Sequence, residues 1–306
     1  MRPVVYPADW LFRSTEPPLS DFGRRLLAEG DSWFTLGTFN LAAASNVLFK
    51  LDFALSTVVV NCAYPGDTLQ HMVDRVNDVY FDRLLRQPRH QRYWEAILMS
   101  AGGNDLIDAV RTGPHDGAGQ PLPLTDRILL TPAEAALASP ALAGPGRFVS
   151  EPGWTRLAGY LRHNFEQLVL RRDAGDSRGR PLVLHTYAVP TARPSGIVKR
   201  PQGWLYPALQ AYGIPDDSLQ GLTTLLFDRL RDLLLGLDQD SGDTRTRPPQ
   251  VHVYDSARLA GLVAAAPGST GNSGDWVNEI HPNPAGYAKV GRGLGAFVDA
   301  LLQRYP

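Results

Sequence analysis

The chain reads as an α/β fold in which helices cover a parallel sheet. Two observations predict this: apolar runs alternate with helical patterns almost throughout, and the early runs stop at glycines, namely Gly30, Pro65-Gly66 and Gly102-Gly103. A third, the absence of any internal repeat or convincing boundary, makes all 306 residues a single domain.

The elements follow in order. Arg25-Leu26-Leu27-Ala28-Glu29 is a first strand, broken at Gly30, and Leu41 to Phe53 reads as a helix. Thr57 to Cys62 is a second strand. Beyond Thr68, residues Leu69, Met72, Val73, Val76, Val79 and Tyr80 recur at helical spacing. Ala96 to Ser100 is a third strand, Pro181 to Val189 a fourth and Val251 to Asp255 a fifth. Asp216 is placed to cap a helix whose apolar face includes Leu219, Leu222, Leu226, Leu230 and Leu234. Asn283 and Pro284 supply the cap and first-turn proline of a terminal helix.

Between Arg111 and Pro152 the periodicity is lost, apart from a short helix at Thr131 to Ala138. A segment this long is either a lid over a site mouth or a solvated insertion. The stretch from Arg193 to Pro215 is also irregular and offers Trp204 and Tyr206 as pocket walls.

Composition narrows the function. A net charge of -1 without blocks of like charge argues against nucleic-acid and anionic-membrane surfaces. The lone cysteine, Cys62, excludes an internal disulfide framework and a cysteine-based zinc site, and its apolar run reads as a buried strand. No stretch approaches a transmembrane span in length. Met1 to Ser20 has no apolar run ending in a cleavage site, so a cytoplasmic location is expected.

Chemistry concentrates where strands end. Ser32 follows Gly30-Asp31 directly after the first strand, at the carboxyl edge where ligands of such sheets bind. A serine hydroxyl becomes a nucleophile only when a base takes its proton. His281 is the best base among seven histidines, because the terminal helix begins just after it and fixes its place. Gly66 brings a backbone N–H close to a ligand, and the Asn104 amide can donate to a developing oxyanion. The bland alternatives are a turn glycine and an Asx-turn. Trp33 and Phe34 offer an acyl-binding wall or, more commonly, helix-packing core. No His-Glu-x-x-His run and no Gly-x-Ser-x-Gly elbow is present. The Gly291-x-Gly293-x-Gly295 run lies inside a helical pattern and is not a nucleotide loop.

These four residues, in this order, resemble the blocks of the SGNH hydrolases, the GDSL lipases and esterases. The resemblance runs from Gly30 to the terminal helix and includes Val60 to Thr68, Gly103-Asn104-Asp105 and His281-Pro282-Asn283-x-x-Gly286. It implies an α/β/α sandwich of the flavodoxin-like kind, with a central parallel sheet of about five strands. It also implies a carboxylester hydrolase: Ser32 attacks an acyl ester and His281 takes its proton. Ser32, Gly66 and Asn104 would hold the oxyanion, with no metal or organic cofactor. One position departs from the pattern, because Asn278 stands where many members place an aspartate. The orienting role then falls to the Asn278 carbonyl or side chain, giving a dyad, or to Asp275 or Glu279. Within the same fold, a carbohydrate O-deacetylase, a lysophospholipase and a thioesterase are alternatives. A non-catalytic binding descendant is the alternative of another class.

Overall fold

The apolar runs become strands of one sheet because each is buried on both faces, as parallel strands between helices must be. A computed structural model describes residues 1–35, 45–74, 78–138, 143–245 and 247–305. Its strands are β1 Val4–Pro7, β2 Arg24–Gly30, β3 Thr57–Asn61, β4 Ala96–Ser100, β5 Leu182–His185 and β6 Val251–Tyr254. All neighbours are parallel, in the order β1-β3-β2-β4-β5-β6. Leu27 pairs with Val60 on one side and Ile97 on the other, and all three are fully buried. Each such side chain contributes roughly 1.5–3 kcal/mol relative to exposure.

The sheet thus has six strands rather than about five. The additional one, β1, lies at an edge and pairs only with β3. An edge position tolerates Pro7 and a partly exposed Val-Val-Tyr run, which is why the sequence pattern passes over it. β5 ends at His185, four residues before the predicted Val189, because the chain leaves the sheet there to wall the site.

The strand order reverses at β2, whose neighbours β3 and β4 both follow it in sequence. That makes the carboxyl end of β2 a topological switch point, where the flanking connections diverge and leave a crevice. Ser32, Gly66 and Asn104 follow β2, β3 and β4 respectively, so the topology alone brings them together.

Helices form two groups around the sheet. The terminal helix Pro284–Leu302 packs on the turn Leu48–Lys50 and on Ser256–Leu259. In the other group, Glu151–Asp173 contacts Leu69–Val73 and Val79–Arg86, while Gly103–Arg111 contacts Leu205–Ala211 and Asp216–Leu235. The glycine run of the terminal helix is a packing device. A methyl at Gly291 would lie 2.6 Å from the Lys50 backbone, and one at Gly295 would lie 2.5 Å from that of Asp52.

Some expectations change. Of the predicted Leu41–Phe53 helix, residues 45–53 hold only the short turn Leu48–Lys50, and the rest lies outside the described residues. The helical pattern after Thr68 divides into Leu69–Val73 and Val79–Arg86. Asp216 is the first residue of its helix rather than the cap, which is Pro215. Asn283 caps as expected, accepting N–H bonds from Ala285 and Gly286.

The irregular segment 111–152 has its own small core of Ile128, Leu129, Leu130, Phe148 and Val149. The buried Arg127 guanidinium holds it together through Glu134 and the carbonyls of Leu122 and Leu129. It packs on Glu151–Asp173 through the turn Leu124–Asp126, and on Asp216–Leu235 through Pro145–Phe148.

Candidate active site

Ser32 opens the helical stretch Ser32–Thr35 immediately beyond β2. Residues in a first helical turn have no intrahelical partner for their N–H groups, so the Ser32 N–H is left for a ligand. The Ser32 hydroxyl lies 2.8 Å from Nε2 of His281. On the far side of the ring, Nδ1 is 3.0 Å from Oδ1 of Asn278. That oxygen also accepts the backbone N–H groups of Ile280 and His281, at 3.1 and 2.9 Å. Only an oxygen can accept them, so the amide orientation is settled by its neighbours. Nδ1 therefore carries the proton and donates it to Asn278, leaving the Nε2 lone pair for the serine hydroxyl.

The electrostatics follow from burial. His281 and Ser32 are 4% and 7% exposed. Burial holds the His281 imidazole down at about 4, and among the described residues no carboxylate is hydrogen-bonded to the ring to offset that. The ring is neutral at physiological pH and able to accept a proton. Trp204 sits edge-on to it, with centroids 5.3 Å apart.

The other two candidates for orienting the ring are engaged elsewhere. Asp275 accepts from Lys289 Nζ and the Val263 N–H, both at 2.6 Å. The fully buried Glu279 turns away from His281 and accepts four backbone N–H groups. These come from Arg193, Trp204, Leu205 and Tyr206, the last at 2.7 Å. Burial pushes this carboxyl up to about 7, against the pull of those donors. Glu279 thus ties the chain from Pro190 to Trp204 to the loop that carries the histidine. We call this stretch the strap.

Two cavities meet at Ser32. The wider, about 400 Å³, is lined by Ser32, Gly66, Asn104, Arg200, Trp204 and His281, among others. The narrower, about 20 Å³, also touches Ser32 and is walled by Ile107, Tyr187, Ala188, Pro190 and Phe227. That space is close to the minimum for one water-sized sphere. Among the described residues of segment 111–152, Arg111 alone lines either cavity; the covering wall is the strap. Cavities of similar size elsewhere, such as one of about 420 Å³ beside Arg127 and Tyr160, hold no serine–histidine pair.

Gly66, with φ at 87°, lines the wide cleft in a backbone conformation that favours glycine. The Asn104 amide donates one hydrogen to the Asp67 carbonyl at 2.9 Å, which fixes the side chain and leaves its second hydrogen free to point into the cleft. Trp33 reaches the narrow cavity but is mainly core: it stacks on His185 and donates through Nε1 to the Ile280 carbonyl at 3.2 Å. Phe34 is fully buried and lines neither cavity, which corrects its reading as a pocket wall.

Two supporting carboxylates, Asp31 and Asp105, were not singled out in the sequence. Asp31 accepts from Tyr187 Oη at 2.6 Å, Ser100 Oγ at 2.7 Å and the Trp33 N–H at 2.9 Å. It ties the serine turn to β4 and to the chain beyond β5, and burial raises it to about 6. Asp105 accepts from the Leu69 N–H at 3.2 Å and Tyr160 Oη at 2.9 Å, coupling the Asn104 helix to the loop after Gly66. Burial raises it to about 6 as well. Glu279 was marked, but as an orienting residue rather than as an acceptor for the backbone of the strap. The sequence signal of Asp31 and Asp105 was adjacency: each stands beside a residue already marked.

Fold and site together define a class by geometry: a serine hydrogen-bonded to a buried histidine, with a glycine and an asparagine amide beside them, at the switch point of a parallel sheet. No protein-family model matches the chain, and no curated protein does. Among solved structures it is similar to a carbohydrate acetylesterase family member from Sinorhizobium meliloti, at 16% identity and a TM-score of 0.45, over 92% of this chain and 99% of that one. An aryl esterase from M. smegmatis is similar at 11% identity and a TM-score of 0.42, over 91% and 99%. An extracellular lipase from Streptomyces rimosus is similar at 10% identity and a TM-score of 0.41, over 90% and 99%. Likeness of this degree assigns no chemistry, which rests on the side chains around Ser32. Among the described residues, no helix is long and apolar enough to cross a membrane.

Proposed function

We propose that the protein is a serine ester hydrolase that forms an acyl-enzyme on Ser32 and prefers short acyl groups. The observation that carries the reaction is the 2.8 Å contact between Ser32 Oγ and His281 Nε2, in a cleft that also holds Gly66 and Asn104. Ser32 Oγ attacks the ester carbonyl while Nε2 takes its proton. The oxyanion forms among the N–H groups of Ser32 and Gly66 and the Asn104 amide. As the tetrahedral intermediate collapses, the alcohol leaves with the proton from Nε2. Water then attacks the acyl-enzyme, gives its proton to the same nitrogen, and the carboxylic acid departs as Ser32 is restored. Asn278 replaces the usual carboxylate: it fixes the tautomer without offsetting the charge on the ring.

The narrow cavity of about 20 Å³ supports the acyl preference, since it has room for little more than a methyl group. The wide cleft then receives the alcohol. Hydrolysis of a p-nitrophenyl ester series tests both points. Acetate should be turned over fastest, and Ser32→Ala should abolish turnover and fluorophosphonate labelling. Equal rates for acetate and octanoate would sink the acyl assignment. Labelling that persists in folded Ser32→Ala would sink the nucleophile.

A further inference from the structure

The wide cleft carries charge that ester hydrolysis itself does not require. Its charged lining residues besides His281 are Asp108 and Arg111, on the helix that begins at Asn104's neighbour Gly103, and Arg200 on the strap. Arg111 Nη1 binds Asp108 Oδ1 at 2.8 Å, so that pair is internally compensated. Arg200 is different: among the described residues its guanidinium has no ion-pair or hydrogen-bond partner. With His281 neutral, Arg200 is the one uncompensated cation among the described residues that line the cleft.

Arg200 is also placed rather than trailing. It closes a two-residue turn with Ile197, each backbone N–H meeting the other's carbonyl at 2.8 and 3.1 Å. Its carbonyl accepts a further bond from the Gly203 N–H at 3.1 Å. Val198, at the tip, is fully exposed, whereas Ile197 and Arg200, at the base, line the cleft. The next residues, Trp204 to Tyr206, are clamped by Glu279. The turn therefore fixes the backbone of Arg200 at the mouth, and only its side chain remains to be ordered by a ligand.

Resting on the hydrolase reading above, we propose that this cleft selects esters whose alcohol part carries a carboxylate or phosphate, recognised by Arg200. The narrow cavity, about 20 Å³ and without a cation among its described lining residues, offers a charged acyl substituent no such partner. A guanidinium presents paired N–H donors that match either anion, with Coulomb attraction added. The site is partly open to water, so the preference is modest and sensitive to salt.

The test compares kcat/KM for 4-acetoxybenzoate and 4-acetoxyphenyl phosphate with the neutral methyl 4-acetoxybenzoate. In Arg200→Gln the anionic-to-neutral ratio should fall on the order of 3–10-fold, mostly through KM, and in Arg200→Glu it should fall further. Raising NaCl to 0.5 M should lower the wild-type ratio and leave that of Arg200→Gln flat. The larger fall of the two anions identifies the preferred group. A ratio unmoved by either substitution, in variants that melt like wild type, overturns the proposal. So does a fall seen only with an anion on the acyl side, in p-nitrophenyl hemisuccinate against p-nitrophenyl butyrate. Those failures, with neutral esters still hydrolysed, leave the hydrolase reading standing. No turnover of any ester and no labelling of Ser32 would remove both.

Discussion

The two walls of the site are held by different means. Ser32, Gly66 and Asn104 stand at the ends of β2, β3 and β4, so the ladder of the sheet sets their spacing. The strap that faces them has no ladder and hangs on the Glu279 carboxylate and on Arg193, whose Nη1 donates to the Ser269 and Gly271 carbonyls at 3.0 and 2.8 Å. Rigid elements position reacting groups more closely than loops do, while loops vary what is bound. The sheet wall should therefore govern kcat, and the strap wall should govern KM and selectivity.

The largest effect belongs to the sheet wall. Ser32→Ala should lower kcat by about 10⁴-fold or more, with KM little changed, in steady-state hydrolysis of p-nitrophenyl acetate. A drop confined to KM would break the division between the walls at its strongest point. Asn104→Ala comes next, at roughly 10²–10³ in kcat, because one oxyanion donor is lost while the nucleophile and base remain. Its bond to the Asp67 carbonyl is lost as well, for about 0.5–1.5 kcal/mol of stability. Thermal unfolding alongside the kinetics separates the two losses.

The histidine loop joins the two walls and sharpens the comparison through pH. Protonation of His281 removes the base, so activity falls as pH drops through its value of about 4. In Asn278→Asp, a carboxylate near Nδ1 stabilises the imidazolium, and both of its oxygens remain able to accept the Ile280 and His281 N–H groups. The acid limb of kcat/KM should move upward by about 1–2 units, and kcat near neutral pH should rise about 3–10-fold. An unmoved limb would mean that Asn278 does not face the ring in solution.

How much of this was legible in the chain follows the same division. The strand runs and their terminal glycines are local signals, and a parallel sheet converts them into position almost automatically. Ser32, Gly66, Asn104 and His281 could thus be picked out before any coordinates. The edge strand β1 could not, since a strand paired on one side needs no continuous apolar run. The strap was visible only as irregularity, because Glu279 reaches backbone N–H groups 73 to 86 residues away. Backbone donors leave no mark in a sequence. The long segment 111–152 read equally as a lid or an insertion; its described residues pack on the helices, and of them Arg111 lines the cleft that the shorter strap walls.

The smallest effect tests the strap itself. In Glu279→Gln one carboxylate oxygen becomes an amide nitrogen, which cannot accept a hydrogen bond. Two of the four N–H groups lose their acceptor, on either the Trp204–Leu205 or the Arg193–Tyr206 side. Each buried donor left without a partner costs about 1–3 kcal/mol, so the melting temperature should fall by several degrees. The strap should loosen while β2, β3 and β4 hold the other wall unchanged. KM for an ester with a bulky alcohol should then rise about 2–5-fold, because the cleft proposed to receive that alcohol is lined by Trp204 and Arg200, while kcat for p-nitrophenyl acetate changes less. If kcat falls as far as KM rises, Glu279 acts through its neighbour His281 rather than through the strap, and the two walls are one mechanical unit.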